Sequence, residues 1–187
     1  GSGALTGGGA QNTDGRGVAT FAGLSVDLAG SKTLDASSGA LTPGTSVPFG
    51  VSAAAAAALA FDQAPSNITA GVAFSPAIAV SVRDAFGNLV SDATDEVSLA
   101  VTSGTGALVG TATQNAVAGV ATFPGLTMNV AGAGKQVTAS SGSLSDAVRS
   151  SFSVGAAGAT ALTFDQAPGN ITAGVAFSPA IAVSVRD

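Results

Sequence analysis

The chain has 187 residues, a net charge of −5 and only six lysine and arginine residues, and this sparse basic content argues against a nucleic-acid partner. It contains no cysteine and no histidine, which removes disulfides, thiolate chemistry and the side chain that most often acts as an acid, a base or a metal ligand near neutral pH. The most apolar stretch, from Val47 to Phe61, contains Pro48 and is too short for a membrane span.

A long internal repeat organises the sequence. The segment Phe61–Asp84 reads FDQAPSNITAGVAFSPAIAVSVRD and recurs 103 residues later as Phe164–Asp187, with a single change of Ser66 to Gly169. The opening of the chain matches the stretch that begins at Gly104, so we interpret its first residues, Gly-Ser-Gly, as repeat sequence. A period of this length indicates whole domains in tandem. We therefore predict the C-terminal part of one repeat over residues 1–58, a complete repeat over 59–160 and the N-terminal strands of the next over 161–187.

In chain order, the first predicted elements are a turn and a link. Asp14-Gly15 is typical of a hairpin turn. The run Ala53–Ala58 consists of the best helix-forming residue, but it is too short to nucleate a stable helix in water. The equivalent segment after Val154 also contains glycines. We expect an extended link between domains here, with a helix as the alternative.

Alternating apolar and polar residues predict the strands of the repeat. The positions expected to face inward are Leu59, Phe61, Ile78, Val80, Val82, Val97, Leu99, Val101, Val148, Phe152 and Val154. Shorter strands are expected over residues 119–123 (GVATF) and 136–140 (QVTAS). Gly87-Asn88 supplies a turn, because positive φ costs little there. Roughly seven to nine short strands in about 100 residues predict an all-β sandwich.

These motifs resemble the tandem bacterial Ig-like domains of large surface proteins, and the invasin/intimin-type Ig-like repeat in particular. The resemblance lies in a strand that ends at Asp84, a turn with Gly87 and Asn88, and an apolar residue at Val90, followed by GVATF and by a closing VTA strand over residues 137–139. It implies tandem Ig-like β-sandwich repeats of about 103 residues and an extracellular position on the bacterial cell surface. The two cysteines and the tryptophan of antibody domains are absent.

Acidic residues gather at Asp84, Asp92, Asp95 and Glu96, and Asp62 and Asn67 lie near the predicted domain junction. Carboxylate and amide oxygens suit calcium, and the candidate ligands are Asp62, Asp84, Asn88, Asp92, Asp95 and Glu96, with Asn67 close to Asp62. The alternative is that these residues cap turns and form a solvated face. No EF-hand or nonapeptide calcium motif is present. The sequence predicts no other cofactor.

No pattern in the sequence predicts catalysis. Asp95 and Glu96 are adjacent on a strand and point to opposite faces, whereas glycoside hydrolysis needs two carboxyl groups across one cleft. There is no Gly-x-Ser-x-Gly elbow and no histidine to serve as its base. Asn67-Ile-Thr and Asn170-Ile-Thr match the glycosylation pattern, which we interpret as chance plus duplication. We therefore expect a chain that is not an enzyme.

Two functions remain open, and neither is catalytic. The first is a structural spacer or stalk of a large extracellular protein, in which each repeat contacts only its neighbours. The second is a self-assembling filament, in which the closing strands at the start of one chain complete the opening strands at the end of another. Adhesion to a ligand is a third alternative, but it calls for an exposed aromatic or charged patch. The expected partners are neighbouring repeats or identical chains.

Overall fold

The computed structural model describes residues 3–149 and 151–187, and every regular element in this part of the chain is a β-strand. The all-β prediction is therefore confirmed. The first two residues of the Gly-Ser-Gly opening lie outside the described residues.

The chain up to the alanine run, here named the head segment, carries six short strands. They are β1 Leu5–Thr6, β2 Ser25–Val26, β3 Gly30–Lys32, β4 Asp35–Ala36, β5 Gly44–Thr45 and β6 Phe49–Val51. They form three antiparallel pairs, β1 with β2, β3 with β6, and β4 with β5. The predicted turn at Asp14 forms, since its carboxylate accepts the N–H groups of Arg16 at 2.8 Å and Val18 at 2.9 Å. The strands on either side, β1 and β2, pair with one another but are not adjacent to the turn, which therefore lies within a long connection and not in a tight hairpin.

Eleven strands then form the central repeat. They are β7 Ala56–Gln63, β8 Ile68–Thr69, β9 Ile78–Asp84, β10 Glu96–Ser103, β11 Leu108–Val109, β12 Thr113–Asn115, β13 Val120–Phe123, β14 Thr127–Met128, β15 Gly132–Ser140, β16 Ala147–Val148 and β17 Phe152–Gly155. One sheet has the order β13-β9-β7, and the other has the order β12-β10-β15-β17-β8 with β16 paired to β15. The β17–β8 pairing is parallel, and β11 and β14 form a separate antiparallel pair.

The two sheets share one hydrophobic core. Val80 and Val82 from one sheet and Val97 and Val137 from the other are fully buried in the same cluster. Two phenylalanines, Phe74 and Phe152, add an edge-to-face contact with ring centroids 5.7 Å apart and an interplanar angle of 76°. Apolar burial of this kind is the main favourable term in folding.

The last two strands, β18 Ala161–Gln166 and β19 Ala182–Arg186, form the tail hairpin. Its register repeats that of β7 and β9: Leu162 lies opposite Val185, as Leu59 lies opposite Val82. The head segment shows the same recurrence, because Lys32 pairs with Phe49 in β3 and β6, as Lys135 pairs with Phe152 in β15 and β17. The internal repeat of the sequence is thus also a repeat of strand pairing.

Two sequence-based expectations are wrong in detail. Val148 was expected to face inward but is 63% exposed. It lies opposite Thr138 in the β15–β16 pair, and because Val137 and Ala139 occupy the core face, Thr138 and Val148 face outward. The alanine run is extended, as expected, but its last three residues already belong to β7, which begins at Ala56 rather than near Leu59.

Candidate functional site: the joint between successive repeats

The turn that follows β9 is built around the carboxylate of Asp84. Its Oδ1 atom accepts the backbone N–H groups of Phe86 at 2.9 Å and Asn88 at 2.8 Å. Gly87 closes the turn with a φ of 83°, a backbone conformation that a residue without a Cβ adopts at little cost. Both Asp84 and Asn88 are buried, with 3% and 6% of their surfaces exposed.

The ionisation of Asp84 follows from these contacts. Burial acts to raise the pKa of this carboxyl group, but hydrogen bonds from the Asn88 side chain and from the N–H groups of Ala54, Asn88 and Phe86 outweigh it and lower the pKa from 3.8 to about 2. Asp84 is therefore ionised at neutral pH. Its two oxygens together accept four hydrogen bonds.

Two of these hydrogen bonds tie the turn to the link that precedes the central repeat. The Oδ2 atom of Asp84 accepts the N–H of Ala54 at 2.8 Å and the side-chain amide of Asn88, also at 2.8 Å. Ala54 lies between β6 and β7, where the chain passes from the head segment into the central repeat. Asp84 thus fixes the path of the link against its own repeat.

Asn88 carries the contact onward to the head segment. Its Nδ2 atom donates to the carbonyl of Asp27 at 2.7 Å, and its Oδ1 atom accepts the N–H of Ala29 at 2.9 Å. One side chain thus uses both amide hydrogens and its oxygen to connect Asp84, Asp27 and Ala29. We name the loop Asp27–Gly30 the receiving loop, and the contact as a whole the joint.

An arginine supports the joint from the side of the sheet. Arg83 pairs with Asp62 of β7 at 2.7 Å, donates to the Ser81 hydroxyl at 2.9 Å and reaches the Gly87 carbonyl at 2.9 Å. Ser81 in turn donates to Asp62 at 3.0 Å. This network connects the strand pair β7–β9 to the turn that carries Asn88.

The same contacts recur at the tail hairpin. Asp187, the equivalent of Asp84, accepts the N–H of Ala157 at 2.8 Å, and Arg186 pairs with Asp165 at 2.9 Å. Ser184 donates to Asp165, and hydrogen bonds from Ser184 and Arg186 lower the pKa of this carboxyl group, against a smaller opposing effect of burial. A second link is thus held by the repeat that follows it in the manner of the first.

A buried lysine lies beside the receiving loop, and the equivalent lysine of the central repeat is buried too. Lys32 is 8% exposed and donates from Nζ to the Ala29 carbonyl at 3.1 Å, so it braces the receiving loop. Its equivalent, Lys135, is fully buried and donates to the Thr105 carbonyl. The alignment of the repeats contains both lysines, but nothing in their spacing indicates burial. The contact of Lys32 with the receiving loop therefore could not be predicted from sequence.

The structure separates the residues proposed from sequence as calcium ligands. Only Asp84 and Asn88 hydrogen-bond to one another, whereas Asp62 pairs with Arg83. Asp92 lines a cleft of about 470 Å³ beside the joint, together with Gly30 and Leu89. The Asp95 carbonyl accepts the N–H of Ala116, and Glu96 is exposed at the start of β10. Within the described ranges, no group of three acidic, histidine or cysteine side chains could hold a metal ion.

The partners of Asn88 could not be found from sequence. Asp27, Ala29 and Ala54 take part through backbone groups, which every non-proline residue possesses. The available signal was the Asp84-x-x-Gly87-Asn88 turn itself, which lies inside the predicted complete repeat. From sequence, this pattern predicts a turn and a candidate calcium ligand set, not a contact between repeats.

Comparisons with known proteins give only distant likenesses. No family model matches the chain, and no curated protein matches it. A crystal structure of a beta-glycosidase from Bacteroides vulgatus is 20% identical, with a TM-score of 0.45 over 59% of this chain and 15% of that one. The structure of surface layer protein SbsC, domains 4–9, is 16% identical, with a TM-score of 0.35 over 88% of this chain and 25% of that one. The chain therefore spans a quarter or less of either protein.

The described part of the chain contains no helix of the length and apolar character needed to cross a membrane.

Proposed function

We propose that this chain is a structural, non-catalytic segment of a large bacterial extracellular or cell-surface protein, in which successive repeats act as a stalk or spacer. The observation that carries the proposal is the recurrence of the joint. Asp84 holds Ala54 and Asp187 holds Ala157 at the same distance of 2.8 Å. A chain whose domains repeat both their strand pairing and their connection is built for regular extension.

The use made of the charged side chains supports a role without chemistry. Asp84, whose pKa is lowered to about 2, has its oxygens occupied by four hydrogen bonds, and Asp62 is occupied by Arg83 and Ser81. Perturbed carboxyl groups often mark functional sites, but structural networks perturb them too. Placement outside the cell follows from the resemblance to tandem bacterial Ig-like domains.

Single-molecule pulling tests the spacer function. The central repeat should unfold in one cooperative step that releases about 100 residues at roughly 3.3–3.6 Å each, or on the order of 300 Å. A polypeptide with two copies of the central repeat should give two such steps of equal length. A smooth force trace without steps would contradict the proposal.

A second candidate function is a filament of identical chains, and one observation favours it. Val183 of the tail hairpin is 48% exposed, whereas its equivalent Val80 is fully buried, and Phe164 is 59% exposed, whereas its equivalent Phe61 is half-buried. Phe21 of the head segment is 42% exposed, whereas the equivalent Phe123 is fully buried. Head and tail thus each expose part of a core that the central repeat closes.

The central repeat also supplies the register that such an assembly would use. Phe123 of β13 lies opposite Ile78 of β9, so Phe21 of one chain would lie opposite Ile181 of another. The combined domain would lack an equivalent of β10, which lies between β12 and β15 in its sheet. For this reason the spacer is the better supported function.

Light scattering of the 187-residue chain separates the two candidates. Strand complementation predicts assemblies that grow with concentration and that Ile181→Asp abolishes. Leu41→Asp is the matched control, because Leu41 is 71% exposed and lies outside the proposed pairing. A monomer at all concentrations would remove the filament candidate and leave the spacer.

A further inference from the structure

We propose that the loop Asn129–Gly132 of the central repeat is a second receiving loop, which binds the Asp-x-x-Gly-Asn turn of another repeat of the same type, as the loop Asp27–Gly30 binds Asn88. The inference rests on the proposed spacer function. It assigns to a loop without a predicted role both a contact and the chemistry of its partner.

The two loops are equivalent in sequence and in structural position. Asp27-Leu28-Ala29-Gly30 corresponds to Asn129-Val130-Ala131-Gly132. Each loop follows an equivalent short strand, β2 or β14, and leads into a pair in which Gly30 lies opposite Val51 and Gly132 lies opposite Val154. The second pair differs by one extra residue between Gly132 and Lys135, where its register shifts. The change from Asp27 to Asn129 does not alter the binding groups, because Asn88 contacts a backbone carbonyl and a backbone N–H.

The link after the central repeat places an incoming repeat correctly. Val51 and Val154 have equivalent strand partners, so both links leave the preceding repeat from the same place. Three residues further on, Ala54 and Ala157 bind Asp84 and Asp187 at the same distance of 2.8 Å. The contacts of Phe86, Gly87 and Asn88 have no counterpart at the tail hairpin within the described residues, which end at Asp187.

The second loop has the same backbone binding groups as the first, but no side chain corresponding to Asn88 binds them. Ala29 is half-buried under the joint, whereas Ala131 is exposed. Within the described residues, no group accepts from the Ala131 N–H or donates to the Asn129 carbonyl. The adjacent Val130 is 46% exposed.

The chemistry of the loop selects its partner. A carbonyl and an N–H two residues apart need a side chain with both a donor and an acceptor, which a primary amide supplies and which a carboxylate or an ammonium group does not. Asp84 orients Asn88 by accepting its second amide hydrogen at 2.8 Å. The expected partner is therefore an asparagine four residues after an ionised aspartate.

The test extends the chain so that the tail hairpin becomes a complete repeat. Residues 85–155 are appended after Asp187, which adds a copy of the turn that carries Asn88. Amide hydrogen exchange measured by NMR should then show the Ala131 N–H exchanging about fivefold more slowly than in the 187-residue chain, the factor expected for one ordinary hydrogen bond. The Ala29 N–H is the internal reference and should lose its protection in Asn88→Ala.

Matched variants of the appended turn make the result specific. Replacing the appended copy of Asn88 by alanine should restore fast exchange at Ala131. Replacing the appended copy of Phe86 by alanine should not, because Phe86 is 64% exposed and belongs to the same turn. Equal exchange at Ala131 with and without the appended asparagine would overturn the inference while leaving the spacer function intact, provided that the appended repeat folds. If that repeat does not fold, the spacer function fails, and this inference fails with it.

Discussion

At the scale of single residues, Asp84 and Asn88 together connect the turn after β9 to the link and to the receiving loop. The aspartate organises its own turn and holds the link, and it orients the amide that reaches Asp27 and Ala29. Because Asn88 is 6% exposed, water competes little for these hydrogen bonds. The connection between repeats therefore depends on one charged and one neutral side chain.

Acid should weaken the central repeat through Asp84. Its pKa falls from 3.8 to about 2 on folding, so its contribution to stability is complete above the unfolded value and is lost as pH falls from about 4 to about 2. Urea denaturation at a series of pH values should show this loss in the native chain and a smaller one in Asp84→Asn, which cannot ionise. Parallel pH profiles for the two proteins would show that Asp84 does not carry the effect.

Gly119 should tolerate substitution far less well than Gly125. Both have positive φ, 79° and 71°, and alanine at either position costs roughly 1–2 kcal/mol for the left-handed backbone alone. An alanine Cβ at position 119 would also lie 2.4 Å from the Val90 carbonyl oxygen, whereas nothing lies within 4 Å of that position at 125. Chemical denaturation should give a clearly larger loss for Gly119→Ala, and equal losses would contradict this steric argument.

At the scale of elements, most of the strand pattern could be predicted from sequence. Period-two alternation correctly placed Ile78, Val80 and Val82 in the core, because β9 is a regular strand with these three side chains on the same face. Alternation failed at Val148, because Val148 belongs to β16, a strand separate from β17, and lies opposite Thr138 on the outward face of β15. At the joint, only the side-chain contributors Asp84 and Asn88 could be singled out from sequence. Their partners contribute backbone groups, which every non-proline residue can supply.

The duplicated segment provides an internal control for the core. Phe74 is 4% exposed and packs on Phe152, whereas its equivalent in the tail hairpin, Phe177, is 41% exposed. Phe74→Ala should lower the free energy of unfolding of the central repeat by about 3–5 kcal/mol. Phe177→Ala should change it by about 0.5 kcal/mol or less. Equal effects measured by urea denaturation would mean that the tail residue is buried in solution.

At the scale of the whole molecule, the described residues are held together by packed sheets and by hydrogen bonds at the joint. The chain has no cysteine, so no disulfide contributes. The ion pair Arg83–Asp62 is partly shielded, with 33% and 37% of the two side chains exposed, and the ion pair Arg186–Asp165 is more exposed. Exposed pairs of this kind contribute little.

Calcium should leave the melting temperature unchanged. The carboxylate oxygens of Asp84 accept four hydrogen bonds, so a metal ion would have to displace them. A ligand at a hundred times its Kd would stabilise the fold by about 2.7 kcal/mol, which thermal scans detect readily. Scans with millimolar calcium and with chelator should coincide. A higher melting temperature with calcium would support calcium binding by the predicted ligands.

The receiving loop contributes only main-chain atoms to its contact with Asn88, which has an evolutionary consequence. Substitutions on that side, such as the exchange of aspartate for asparagine between positions 27 and 129, leave the binding groups in place. Duplication or deletion of a unit would then bring together surfaces that already match. Selection could lengthen or shorten such a protein without any compensating mutation where units meet.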